Sequence, residues 1–171
     1  MSDLDMPPEV AALFRGATKE PLVSEDLRKG DPILDRAGVE QRLPHRDPFL
    51  LVDRVLGIDR ETASIAARYD LGRASDVLRG HFPRYPVWPG VLQIEAIGQA
   101  GLVLYEELSG EEAPEKVSLT HVRGARFLRE ILPGEDVEVL ARTLDDGLFV
   151  TIVGQCLQGG RICSVAAVSA L

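Results

Sequence analysis

Apolar and polar positions change rhythm along the chain, and the changes predict its elements. Residues 49–58 (FLLVDRVLGI) and 62–69 (TASIAARY) are rich in branched and aromatic side chains. They flank a polar turn around Asp59–Glu61, as the two strands of a hairpin do. Residues 70–89 hold Gly72, Gly80, Pro83, Pro86 and Pro89 and read as irregular. From Gly90 to about Leu108 the run GVLQIEAIGQAGLVLYEEL is apolar around most of a helical circumference for four turns, which predicts a buried helix. Glu106, Glu107 and then Gly110 give it a wet end and a stop. Three strands follow at about 117–127, 135–144 and 148–157, with Asp146-Gly147 as a hairpin turn between the last two. ICSVAAVSAL (162–171) is the closing strand. A strand pair, one apolar helix and an antiparallel meander predict an α+β domain whose sheet curls around the helix.

Residues 1–40 follow neither rhythm. Pro7-Pro8 before EVAALF predicts a short helix with proline at its start. Pro21, Gly30 and Pro32 then interrupt a charged stretch. The division expected is an N-terminal extension over 1–40, weakly structured or in short helices, and one domain over 41–171.

Composition narrows the class. At 171 residues, 45% hydrophobic and 27% charged, the chain suits one globular domain with a sizeable core. No run reaches the roughly 18 apolar residues of a membrane span. The acidic MSDLDMPPEV start lacks a signal-peptide pattern, so a cytoplasmic location is expected. A net charge of −8 argues against a nucleic-acid partner. Residues 41–90 alone are net basic, with eight arginines against six acidic groups. Arginine forks suit phosphate and carboxylate partners. Cys156 and Cys163 match no metal or redox spacing. They flank Gly159-Gly160, and a tight turn there would set them opposite each other as free thiols.

The segment GHFPRYPVWPGVLQIEA (80–96) concentrates the candidate chemistry. Pro89-Gly90 opens the helix, where free backbone N–H groups at the positive end of the dipole can receive a carbonyl gaining negative charge. Glu95 lies on the second turn in an apolar context, and burial there would favour the protonated form that a general acid requires. His81 stands in a proline-bound loop, and an imidazole titrates near neutrality, as a base should. Gln99, one turn after Glu95, shares its face and could orient that carboxyl. Blander roles compete: loop histidines are mostly structural or solvated, and a buried helical glutamate usually pairs with an arginine, here Arg123, Arg126 or Arg129.

The stretches LPHRDPFLLVDRV (43–55), GHFP with the following prolines (80–90), GVLQIEAIGQA (90–100) and ARFLREILPGEDV (125–137) resemble the bacterial 3-hydroxyacyl-acyl carrier protein dehydratases of fatty-acid synthesis. The likeness covers about residues 40–170. It implies the hot-dog fold, a long helix wrapped by an antiparallel sheet, with active sites at a homodimer interface and often a trimer of dimers. It implies His81 and Glu95 as the catalytic pair, with the Gly90 N–H on the thioester carbonyl. No metal and no organic cofactor are implied, the substrate riding on the phosphopantetheine of acyl carrier protein. Glutamate, rather than the aspartate of a related isomerising branch, favours plain dehydration. Hot-dog thioesterases lack the GHFP pattern. In this family the LPHR motif is mainly structural, which leaves His45 outside the expected site.

Some positions depart from the family's pattern: Arg84-Tyr85, Trp88, Gln93 and the long extension. Trp88 and Phe82 are expected to shape the acyl tunnel, and Arg79, Arg84, Arg126 and Arg129 to receive an acidic carrier protein. The same chemistry in polyketide or lipopeptide assembly, or a non-catalytic acyl-binding protein, are the competing readings.

Overall fold

The computed structural model describes residues 6–110, 118–145 and 150–170. Its centre is α4 (Gly90–Ser109), entered at Pro89 and ended at Gly110, whose positive φ of 71° allows its N–H to return to the Glu106 carbonyl. Six strands wrap it: β1 (Arg54–Asp59), β2 (Ser64–Tyr69), β3 (Leu119–Phe127), β4 (Val137–Asp145), β5 (Val150–Gln158) and β6 (Arg161–Ala170). Their order is β1-β2-β4-β5-β6-β3, and each adjacent pair is antiparallel. One long helix held by one antiparallel sheet is the hot-dog arrangement.

Helix and sheet approach closely at two glycines. A Cβ on Gly101 would meet the Ile152 side chain at 2.5 Å, and one on Gly154 would meet Ile97 and lie 2.7 Å from the Leu140 carbonyl. The inner core takes alternate strand residues, among them Ile65, Ala67, Val139, Ala141, Ile152 and Ala166, with Ile97, Ala100 and Leu104 of the helix. The helix is buried on that side only. Val91 is 72% exposed and Ile94, Gly98 and Leu102 are half-buried, so the expectation of burial around most of its circumference is corrected for the single chain.

The other face of the sheet carries a second core. Leu56, Ala66, Leu140, Val153, Leu157, Val165 and Ala167 meet Val10, Phe14 and Ala17 of α1 (Pro8–Ala17), together with Val23. This cover explains why β5 and β6 are buried on nearly every residue instead of alternating. Two polar contacts fasten it. Buried Gln155 accepts from the Leu22 N–H (2.8 Å) and donates to the carbonyls of Ala17 and Glu20. Arg28 forks onto Glu138. The described part of the extension thus packs on the sheet through α1 and Val23, and residue 40 falls inside α2 (Arg36–Arg42).

Other differences from the expected elements have local causes. Strand pairing begins at Arg54 rather than Phe49, because the Phe49 carbonyl and the Leu51 N–H are both taken by Gln99 of the helix. Within 70–89 the chain forms a 3-10 turn (Leu71–Ala74) and α3 (Ser75–Gly80). The Gly159-Gly160 turn pairs Gln158 with Arg161 and Leu157 with Ile162, but Cys156 then faces Ser164. Cys163 is bulged out of register, its carbonyl accepting from both Leu128 and Arg129, so the two thiols are not cross-strand partners. Both are free and buried. The Asp146-Gly147 turn lies outside the described residues.

Candidate active site

His81 closes α3, its N–H bonded to the Val77 carbonyl at 2.8 Å. Its Nδ1 lies 2.7 Å from the Val87 carbonyl oxygen. That oxygen can only accept, so Nδ1 carries the hydrogen and Nε2 of the neutral ring keeps its lone pair. Phe82, the next residue, has φ +56°, a left-handed conformation uncommon for a bulky side chain. This turn brings its ring to 4.1 Å from the imidazole, and the ring is itself 61% exposed.

His81 borders a groove of about 510 Å³ with Trp88, Gly90, Ile94, Phe127 and Arg129 among its walls. The groove meets the start of α4. The Gly90 and Val91 N–H groups have no partner among the described residues, whereas those of Leu92 and Gln93 reach back to Pro89. Phe127 closes over this turn so tightly that a Cβ on Gly90 would lie 2.7 Å from its ring. Glycine at this position is therefore a packing requirement as well as an opening for backbone donors. Trp88 is fully buried and stacked on Tyr69 at 5.5 Å, a core residue that also backs the groove. Burial pushes the Tyr69 hydroxyl up to about 12.

Glu95 is not among the groove's walls. Its side chain is 27% exposed and turned toward the loop before β1. Oε1 accepts from Gln99 Nε2 at 2.9 Å and lies 3.5 Å from Nε2 of His45. Gln99 also accepts from the Leu51 N–H and donates to the Phe49 carbonyl, so it contacts the carboxyl and anchors a loop as well. Arg123, Arg126 and Arg129 are not its partners. Arg126 lies over the Phe14 ring on the outer sheet face and Arg129 donates to the Ile162 carbonyl. The family resemblance makes the LPHR motif structural and so leaves out His45; its approach to Glu95, 50 residues away in sequence, is a contact that only the fold makes.

One chain therefore gathers His81, Gly90, Trp88 and Arg129 at one groove and holds Glu95 and Gln99 elsewhere on the helix. Arg79, Arg84 and Arg126 are exposed, with Arg79 paired to Asp76 and Arg126 over the Phe14 ring. Among the described residues no group of three or more His, Cys, Asp or Glu is placed to hold a metal ion. No described helix is long and apolar enough to cross a membrane.

A curled sheet around one helix, with a histidine and free N–H groups at that helix's start, defines a hot-dog protein with a mainly apolar groove beside the helix. Residues 43–163 match the FabA-like domain model, and the chain belongs to that family. It is 34% identical over 145 residues to the 3-hydroxyacyl-acyl-carrier-protein dehydratase FabZ of Granulibacter bethesdensis, spanning 84% of this chain and 85% of that one. It is 40% identical over 109 residues to FabZ of Anaeromyxobacter dehalogenans, over 63% and 69% of the two chains. Among solved structures, the dehydratase heterocomplex of Xenorhabdus doucetiae aligns with a TM-score of 0.64 at 19% identity, covering 83% and 91%. A mutant thioesterase of Pseudomonas aeruginosa aligns with a TM-score of 0.56 at 16% identity, covering 81% and 93%. At such identities the shared feature is the fold.

Proposed function

We propose that this chain dehydrates (3R)-3-hydroxyacyl chains on acyl carrier protein to trans-2-enoyl chains, with His81 as base and Glu95 as acid. The chain is a hydro-lyase of the 3-hydroxyacyl-acyl carrier protein dehydratase type, acting in fatty-acid synthesis. The observation that carries the residue assignment is the His81–Val87 bond, which leaves a basic nitrogen beside the free N–H groups of the helix start.

The chemistry follows from that arrangement. The Gly90 N–H holds the thioester oxygen and acidifies the C2 proton. Nε2 of His81 removes it while the Glu95 carboxyl protonates the leaving 3-hydroxyl. The thioester is its own electron sink, so the step calls for no metal or organic cofactor.

A single chain keeps His81 and Glu95 apart, and the reading therefore includes a homodimer in which His81 faces Glu95 of the partner subunit. Exposed Val91 on the helix, exposed Phe127 at the end of edge strand β3 and exposed Leu128 just beyond it supply an apolar face for the second copy. Arg79, Arg84, Arg126 and Arg129 are the cations proposed to receive acyl carrier protein. The cytoplasm is the compartment proposed.

Full-length His81→Ala and Glu95→Gln each lose at least about 10²-fold in turnover of a 3-hydroxyacyl thioester. Mixing the two inactive proteins under conditions that exchange subunits restores part of the activity. Near wild-type turnover by His81→Ala overturns the assignment, and failure of the mixture to recover overturns the shared site.

A further inference from the structure

We infer that His45 is a positioning residue for the acid: with Gln99 it holds Oε1 of Glu95, so that Oε2 is the oxygen that gives up the proton. The inference rests on the assignment of Glu95 as the acid.

One hydrogen bond and one close nitrogen meet at a single carboxyl oxygen. Gln99 Nε2 reaches Oε1 at 2.9 Å and His45 Nε2 stands 3.5 Å from the same atom. Oε2 has no partner among the described residues. A carboxyl acid carries its hydrogen on one oxygen, and N–H donors disfavour a hydrogen on the oxygen they face. The acidic hydrogen is therefore directed to Oε2.

The tautomer of His45 is fixed by its surroundings. Its Nδ1 is buried with no partner, and a hydrogen there would be an orphaned donor. A hydrogen on Nε2 would instead have an acceptor, Oε1, 3.5 Å from its nitrogen. The ring and the loop that carries it are each held. Phe49 stacks on it at 6.3 Å, and Arg46 Nη1 donates to the carbonyls of Leu43 (2.6 Å) and His45 (2.7 Å). Gln99 ties the same loop to the helix through Phe49 and Leu51, so donor and carboxyl move as one unit.

The charged neighbours leave His45 as the group able to act on Glu95. On the loop, Arg46 is spent on carbonyls and Asp47 pairs with Arg36 and Arg73. On α4, Gln99 does not titrate, and Glu107 is three turns away and paired with Arg42. His81 is the group proposed to face Glu95 from the partner subunit.

The test compares full-length wild type with His45→Ala, His45→Gln and Glu95→Gln. Gln is chosen because its Nε2 can occupy the place of the imidazole Nε2. His45→Ala is expected to lower kcat at least about ten-fold with KM within about two-fold, as a misplaced acid does. In ¹³C-carboxyl spectra, with the signal assigned by its loss in Glu95→Gln, ionisation of Glu95 moves to higher pH in His45→Ala. His45→Gln returns both kcat and that midpoint toward wild type. Unchanged kcat and midpoint in His45→Ala overturn the inference. So does lost activity with an unmoved midpoint, or failure of Gln to rescue, since either leaves His45 as loop support alone. Full turnover by Glu95→Gln overturns the acid assignment itself, a result distinguishable from all of these.

Discussion

Gly90 shows how one residue serves two demands. Its N–H has no partner among the described residues, and its missing side chain makes room for Phe127. Gly90→Ala is expected to displace the ring or the first helical turn, at a cost of about 1–3 kcal/mol for overpacking. Turnover then falls by more than the loss of folded protein explains, and Phe127→Leu in the same chain recovers part of both. Paired denaturation and kinetic measurements check this. The thiol of Cys156 makes a different residue-scale case. Burial pushes it up to about 12, so it stays protonated in the folded state while the unfolded thiol ionises near 9. Its contribution to stability is present below about pH 9 and is lost as pH rises from there toward about 12. Thiol-labelling at pH 8 is expected to spare Cys156 in the native protein and to reach it in denaturant.

At the scale of elements, contacts between segments far apart in sequence decide what each segment does. Residues 49–53 have the composition of a strand, yet Gln99 takes the Phe49 carbonyl and the Leu51 N–H, and the segment becomes the loop beside Glu95. Gln155 does the same for the extension, satisfying one N–H and two carbonyls of the α1 exit from within β5. Gln155→Leu leaves those backbone groups without partners at a buried site. A destabilisation of about 1–3 kcal/mol is expected, with little change in kcat because the groove is on the other face. A denaturant titration beside a turnover assay checks both halves.

For the whole molecule, the sheet is a shared wall. Its inner face holds the helix and groove, and its outer face is closed by α1 and the segment after it. Deleting residues 1–34 would expose Leu56, Leu140, Val153, Leu157 and Val165 together, an apolar area of the kind that drives association. The truncated chain is expected to aggregate or melt at lower temperature than the full chain, as scattering during a thermal scan would show.

The sequence by itself determined the order of the strands and the long helix, the ends of that helix and the Gly159-Gly160 turn, and it supplied His81, Gly90 and Glu95 as the residues proposed for the site. Those depend on local chemistry: apolar periodicity, proline and glycine at fixed positions, and a motif within 17 consecutive residues. Tertiary structure alone decided that Cys163 bulges away from Cys156, because two N–H groups of another segment claim its carbonyl. It alone placed Arg126 on the outer face, since strand residues alternate and Phe127 takes the inner one. It alone set His45 beside Glu95 and kept Glu95 out of the groove of its own chain. Such outcomes depend on long-range pairing and register, which local periodicity does not encode.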